Sequence, residues 1–196
     1  MRHCTFLVKE GVYADGWHVT KKFASLGLLS IMLLYLGGCA HTIPLNYAPS
    51  SVLTASGAVT VSDFRYLPAE KGIVEPNVIR NTALGTPRFE QNIGPFFRDA
   101  VFKELRFVGI KTDGKDRILM GEITEFLIDD LGFSVDWILQ VHYYVKSAQG
   151  GQLYDCEKIT RKKSAKFANP FGAINETIKL NVDELIKEPG FIESIK

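Results

Sequence analysis

Lys21-Lys22, an uncharged run from Phe23 to Leu36, and then Gly37-Gly38-Cys39 set the limits on what this chain can fold into. A short basic patch, an apolar run and small residues closing on a cysteine describe a signal segment that is removed, not a piece of a folded domain. The run is 14 residues long. As a helix it would span roughly 21 Å at about 1.5 Å per residue. A hydrocarbon core is about 30 Å thick, so the run suits a signal segment better than a permanent span. Adding Gly37 to Ala40 lengthens it toward the lower limit of a span, and an uncleaved anchor is the competing reading. A buried cysteine after a core helix is the third, and the missing amphipathic pattern argues against it.

Leu36-Gly37-Gly38-Cys39 resembles the lipobox of bacterial lipoproteins. The resemblance implies cleavage between Gly38 and Cys39, a diacylglyceryl group on the Cys39 thiol and acylation of the new amino terminus. Small residues before the cut fit a narrow protease groove, and the thiol is the nucleophile. Each buried methylene contributes about 0.8 kcal/mol, so several acyl chains hold a domain stably to a bilayer. By the same resemblance, Ala40 rather than an aspartate after the cysteine implies the outer membrane, with the domain facing the periplasm. Residues 1–20 place a polar, acid-containing stretch ahead of the basic patch, where a signal segment normally begins. That oddity suggests a mis-called start at residues 1–18, with Val19 read from a GUG codon as the initiator. N-terminal mass spectrometry of the precursor decides it.

With 1–38 removed as signal peptide, 158 residues are left, enough for one domain with a real core. They carry 19 basic and 20 acidic residues, after Arg2, Lys9, Lys21 and Lys22 are taken from 23 and Glu10 and Asp15 from 22. Nothing in that balance calls for nucleic acid. Cys4 is lost and Cys39 lipidated, so Cys156 has no partner and no internal disulfide is expected. His41 to Ser56 is rich in Pro, Ser, Thr and Ala without periodicity, so residues 39–56 read as a lipidated tether and 57–196 as a single domain. His41 is a lone histidine there, not a metal ligand.

Ala58 to Tyr66 is the first strand, with Val59 and Val61 on one face and Phe64 and Tyr66 on the other. That switch of parity suggests a bulge near Ser62-Asp63 or two covered faces. Leu67 to Gln91 is a breaker-rich excursion in which Val78-Ile79 suggests a short strand. A helix from about Pro95 to Phe107 carries the stripe Phe97, Val101, Leu105, joined by Ile93, Ala100 and Val108. Arg117 to Ile128 is apolar on both parities, as for a central strand. Asp129-Asp130-Leu131-Gly132 supplies a turn. Gly132 to Lys146 then alternates, with Phe133, Val135, Trp137, Leu139, Val141, Tyr143 and Val145 on the side that must be covered. After a turn at Ala148 to Gly151, Gln152 to Phe167 reads as a polar strand whose Arg161, Lys162, Lys163 and Lys166 protect a sheet edge. Contact with anionic headgroups or glycan is the sharper reading of those cations. Asn169-Pro170 opens a last helix lined by Ile174, Ile178, Val182, Leu185 and Ile186. Pro189-Gly190 stops it, and Phe191, Ile192 and Ile195 pack as a closing turn. The expected fold is α+β: a two-layer sandwich, order β-α-β-β-β-α, with two helices covering the Trp137 face of a mainly antiparallel sheet.

No phosphate loop, paired histidines at ligand spacing or Gly-x-Ser-x-Gly elbow is present in the sequence. Adjacent acids at Asp129-Asp130 are turn formers, and Cys156 reads as outward-facing with no histidine beside it. No catalytic residue, metal or cofactor is expected, and the chain does not read as an enzyme. The candidate partner-binding residues are Ile138, His142 and Tyr144 on the open strand face, with Arg161 and Lys163 at the edge.

The lipobox, Val61-Ser62-Asp63-Phe64-Arg65, Gly72-Ile73, Glu104-Leu105 before Gly109-Ile110, and Gly121-x-Ile123-x-x-Phe126 together resemble the YajG-like lipoproteins of Gram-negative bacteria. That resemblance covers most of residues 39–190 and implies location and fold more than activity. The expectation is a membrane-tethered, non-enzymatic accessory protein that binds another envelope component. The alternative is a lipid- or glycan-handling auxiliary subunit of an envelope transporter, which a deep apolar cavity between helices and sheet would favour.

Overall fold

The computed structural model describes residues 42–82, 87–166 and 169–196. The signal segment, the Gly38-Cys39 cleavage site, His41 and Phe167 lie outside the described residues. The strand most firmly dictated by its sequence is β4 (Ser134–Ser147). Val135, Trp137, Leu139, Val141, Tyr143 and Val145 sit at every second position, and all are buried. β4 pairs antiparallel with β3 (Arg117–Asp129) and with β5 (Gln152–Ala165). On the far side of β3, β1 (Thr60–Tyr66) and the two-residue β2 (Arg80–Asn81) both run parallel to it, one beyond the other. The order is β1-β3-β4-β5, so β5 is an edge, as its lysines predict. The sheet is therefore mixed: its two long pairings are antiparallel, as expected, and its two short ones parallel. A helix separates β1 from β3, and such a crossover lets the chain pair the two in the same direction.

The described residues form four helices: α1 (Leu67–Glu70) and α2 (Ile93–Phe107) before β3, and α3 (Pro170–Ile186) and α4 (Pro189–Ser194) after β5. The predicted α2 stripe is the buried one, with Ile93, Phe97, Ala100, Val101, Leu105 and Val108 at 0–2% exposure. The Asn169 side chain caps α3 by accepting from the Phe171 amide at 3.0 Å. α2 packs on β1, and α3 on β4 and β5, so both long helices cover the Trp137 face. At the centre the Phe64 ring meets Phe97 and Tyr143 edge to face, with centroids 5.2 and 5.7 Å apart. The Tyr143 hydroxyl donates to Asn181 Oδ1 at 2.7 Å, and burial pushes that phenol well up. Gly121 makes room for this cluster, since a Cβ there would stand 2.7 Å from the Phe64 ring. The closing segment is helical rather than a turn, and it buries Phe191 and Ile195. In the long excursion the ladder forms at Arg80–Asn81. Val78 bridges Arg88 instead.

Two bulges account for the strands that read as apolar on both parities. In β1 the register against β3 shifts between Val61 and Phe64, which is the bulge the sequence suggests. In β3 it shifts against β4 between Ile123 and Glu125. Leu119 and Ile123 therefore face the helices before the shift, and Phe126 and Ile128 after it. Doubly apolar parity came from a slipped register, not from a strand covered on both faces.

Two further expectations fail here. Phe133 does not belong to the covered side of β4: it precedes the strand at the hairpin tip and is fully exposed, at 104%. Nor is the stretch before residue 57 a free tether from Ile43 onward. Leu45, Tyr47 and Ser51 are buried, and the segment bonds in turn to Arg88, Glu104, Asp183 and Val108. It forms no helix or strand, hence its lack of periodicity, but it is strapped to α2 and α3 by its polar groups.

Candidate functional site

With both long helices on one side, the opposite face of β3, β4 and β5 has no layer over it among the described residues. β4 contributes Asp136, Ile138, Gln140, His142, Tyr144 and Lys146, the alternate set to its buried residues. Because Ile138 pairs with Arg161 and Asp136 with Lys163, the odd-numbered residues of β5 share this face. Leu127 and Met120 of β3 sit opposite Ile138 and Tyr144. Apolar side chains thus run across three strands: Met120, Leu127, Ile138, Tyr144, and Ile159 at the edge.

The charges between them are mostly paired. Arg65 reaches Glu122 at 2.8 Å and also pairs with Glu70. Gln140 donates to Glu157 at 2.7 Å, and Lys163 lies 3.7 Å from Asp136. His142 Nε2 bonds Asp155, and its ring stands edge to face against Tyr144 with centroids 5.7 Å apart. The hydrogen bond from His142 holds the Asp155 carboxyl below the usual carboxylate range. Partial burial, with the Glu122 carboxylate nearby, pushes the Tyr144 phenol up. Lys146 Nζ lies 5.4 Å from the same ring. Among the predicted partner-binding residues other than the aliphatic Ile138, Arg161 alone has neither an ion pair nor a ring contact among the described residues.

All five candidates therefore lie on one face: Ile138 beside Arg161 and near Lys163 in one half, His142 beside Tyr144 in the other. Cys156 does not. It pairs with Tyr143, which faces the helices, so it lies on the covered side and is half-buried. The polar composition of β5 hid that parity, because Lys158 and Lys162 also lie on the helix side, paired with Glu188 and Glu176. Asp129 acts as a turn former, accepting from Thr82 Oγ1 at 2.9 Å and from the Leu131 amide at 3.4 Å.

A second polar constellation was not anticipated. Glu104 on α2 has no solvent exposure, and its carboxylate accepts from Tyr47 Oη at 2.5 Å and from the Ser50 and Ser51 amides at 3.0 and 3.4 Å. Ser51 Oγ donates to Asp183 of α3 at 2.6 Å, and Lys179 pairs with the same carboxylate at 2.9 Å. Burial and the Glu104 carboxylate push the Tyr47 phenol far up, so it stays a donor. These groups are closed on one another and latch the strap to both helices. A cleft of about 330 Å³ lies apart from them, between α1 and the start of α2, lined by Tyr66, Ala69, Pro76 and Pro95 among others.

Among the described residues no helix is long and apolar enough to cross a membrane, and no cluster of metal-ligating side chains occurs. No family model and no curated protein matches the sequence, so the resemblance to YajG-like lipoproteins rests on the residues quoted for it. Several solved structures are similar in part, among them the following three. Hypothetical protein CT253 from Chlamydia trachomatis is 10% identical with a TM-score of 0.41, over 72% of this chain and 94% of that one. A PelC variant dodecamer from Paraburkholderia phytofirmans is 10% identical at 0.39, over 72% and 96%. Lipoprotein GNA1162 from Neisseria meningitidis is 9% identical at 0.29, over 65% and 99%. At these scores the likeness carries nothing about activity.

Proposed function

We propose that the protein is a non-enzymatic accessory lipoprotein of the cell envelope. It is anchored through Cys39 in the outer membrane and binds another envelope component through its open sheet face. The observation that carries the binding reading is that face itself, where Met120, Leu127, Ile138 and Tyr144 lie among charges already paired with one another. Apolar and aromatic side chains supply the core of a typical interface. Charges that keep their partners on docking cost less to desolvate than unpaired ones. The alternative, a lipid- or glycan-handling transporter subunit, needs an apolar cavity between helices and sheet. The centre of that space is filled by Phe64, Phe97 and Tyr143.

A photoreactive phenylalanine analogue placed at 138 or 144 in intact cells tests the binding face, with position 52, on the exposed Val52 of the strap, as control. The reading expects one discrete adduct shared by 138 and 144 and missing from 52. Equal capture from all three positions overturns it. Metabolic labelling with a palmitate analogue tests the anchor separately, since Cys39→Ser is expected to abolish a label that the wild type carries.

A further inference from the structure

Two large apolar residues left in water are neighbours at one end of the domain, Leu131 at 75% exposure and Phe133 at 104%, and a third, Phe171 at 40%, opens α3 five residues after Lys166. Leu131 and Phe133 form the tip of the β3–β4 hairpin, and the turn does not need their side chains. It is braced by polar groups instead. Thr82 Oγ1 bonds Asp129 and accepts from the Asp130 amide, and Lys166 Nζ donates to the Asp130 and Gly132 carbonyls at 3.3 Å each. Isolated exposed apolar residues need no explanation, but two large ones on one braced tip mark a contact surface.

The same end is where the strap begins. The Ile43 amide donates to the Arg88 carbonyl at 2.8 Å, Arg88 bridges Val78, and four residues on Thr82 bonds the hairpin base. On the helix side, Asn175 bonds the Asn46 carbonyl at 3.1 Å, one helical turn from Phe171. Cys39 precedes Ile43 by four residues, a reach of at most about 14 Å fully extended. A lipidated cysteine on so short a lead leaves the domain no room to stand off. At the opposite end the β4–β5 turn, Ala148 to Gly151, carries no large apolar side chain, and the nearest exposed one is Leu153 at 43%, on β5 itself.

Resting on the anchoring proposed above, we infer that the hairpin tip, through Leu131 and Phe133, dips into the phospholipid leaflet that holds the Cys39 acyl chains. The two lysines nearest the tip do not drive this. Lys166 lies 3.4 Å from the Asp130 carboxylate and Lys163 3.7 Å from that of Asp136, so insertion is apolar and does not require anionic lipid.

The full lipidated chain, carrying Cys156→Ser and Phe133→Cys, is labelled with an environment-sensitive fluorophore and reconstituted into phosphatidylcholine vesicles. The same label at Gln149→Cys marks the far end. The expected result is a blue-shifted label at 133, quenched by lipids brominated along their chains and protected from aqueous iodide several-fold relative to 149. A label at 133 as open to iodide as that at 149 overturns the inference. Protection without quenching by brominated lipid also overturns it, since the tip is then covered by protein, either a second copy or a partner. The mass of the N-terminal peptide is read on the same preparation. An unacylated Cys39 overturns the anchoring reading and this inference together, whereas an acylated Cys39 with a wet tip overturns this inference alone.

Discussion

Glu104 is the residue whose surroundings depart furthest from its type, a fully buried carboxylate holding a phenol and two backbone amides of the strap. Glu104→Leu leaves those donors buried without an acceptor, and is expected to cost about 2–4 kcal/mol in urea unfolding. Tyr47→Phe removes one donor and leaves two, so about 1–2 kcal/mol is expected. The pair His142–Asp155 answers to pH. With its carboxyl held low in the fold, Asp155 adds to stability above its unfolded value near about 3.9, and that contribution is lost as pH falls through the lower folded value. In an NMR titration His142→Gln is expected to raise the Asp155 midpoint; an unmoved midpoint discards the assigned cause. The only hint of Glu104 in the sequence is positional. It falls seven residues after Phe97 and three after Val101, on the apolar stripe, but its partners lie more than 50 residues away in the chain. Local pattern carries no record of such distant bonds.

At the scale of elements, helix α2 rests directly on the backbone of β1. A Cβ at Gly94 would stand 2.4 Å from the Phe64 carbonyl oxygen, too close to absorb by turning a side chain. Gly94→Ala is therefore expected to lower stability by about 2–3 kcal/mol through overpacking, measured by thermal or urea unfolding. A melting point equal to wild type would show that α2 slides freely on β1. Elements whose buried and exposed residues alternate at a fixed period were legible: β4 from its period of two, α2 and α3 from their stripes and caps. The first bulge was legible too, because Val61 and Phe64 break parity within three residues. The bulge in β3 was not, since a run apolar on both parities fits a doubly covered strand equally well. β5 offered no contrast at all, because lysines face both sides of it, and so the side taken by Cys156 could not be read.

For the whole molecule, the candidate binding face was legible as the wet side of β4, and its completion by β5 followed only once the register was known. The strap was illegible, because a segment held by side-chain acceptors on two helices has the composition of a linker. If that strap sets the tilt of the anchored domain, a flexible insertion ahead of it frees the tip. About ten glycine and serine residues after Ala40 add a reach of roughly 18 Å. The insertion is expected to leave the unfolding midpoint unchanged while returning a label at 133 to the aqueous quencher. Ser51 finds Asp183 across 132 positions of sequence, and Ala58 finds Ile195 near the last residue. A nascent chain emerges amino end first, so its leading ordered segment has nothing to hold until the final helices have arrived. The earliest residues made are thus among the last to settle.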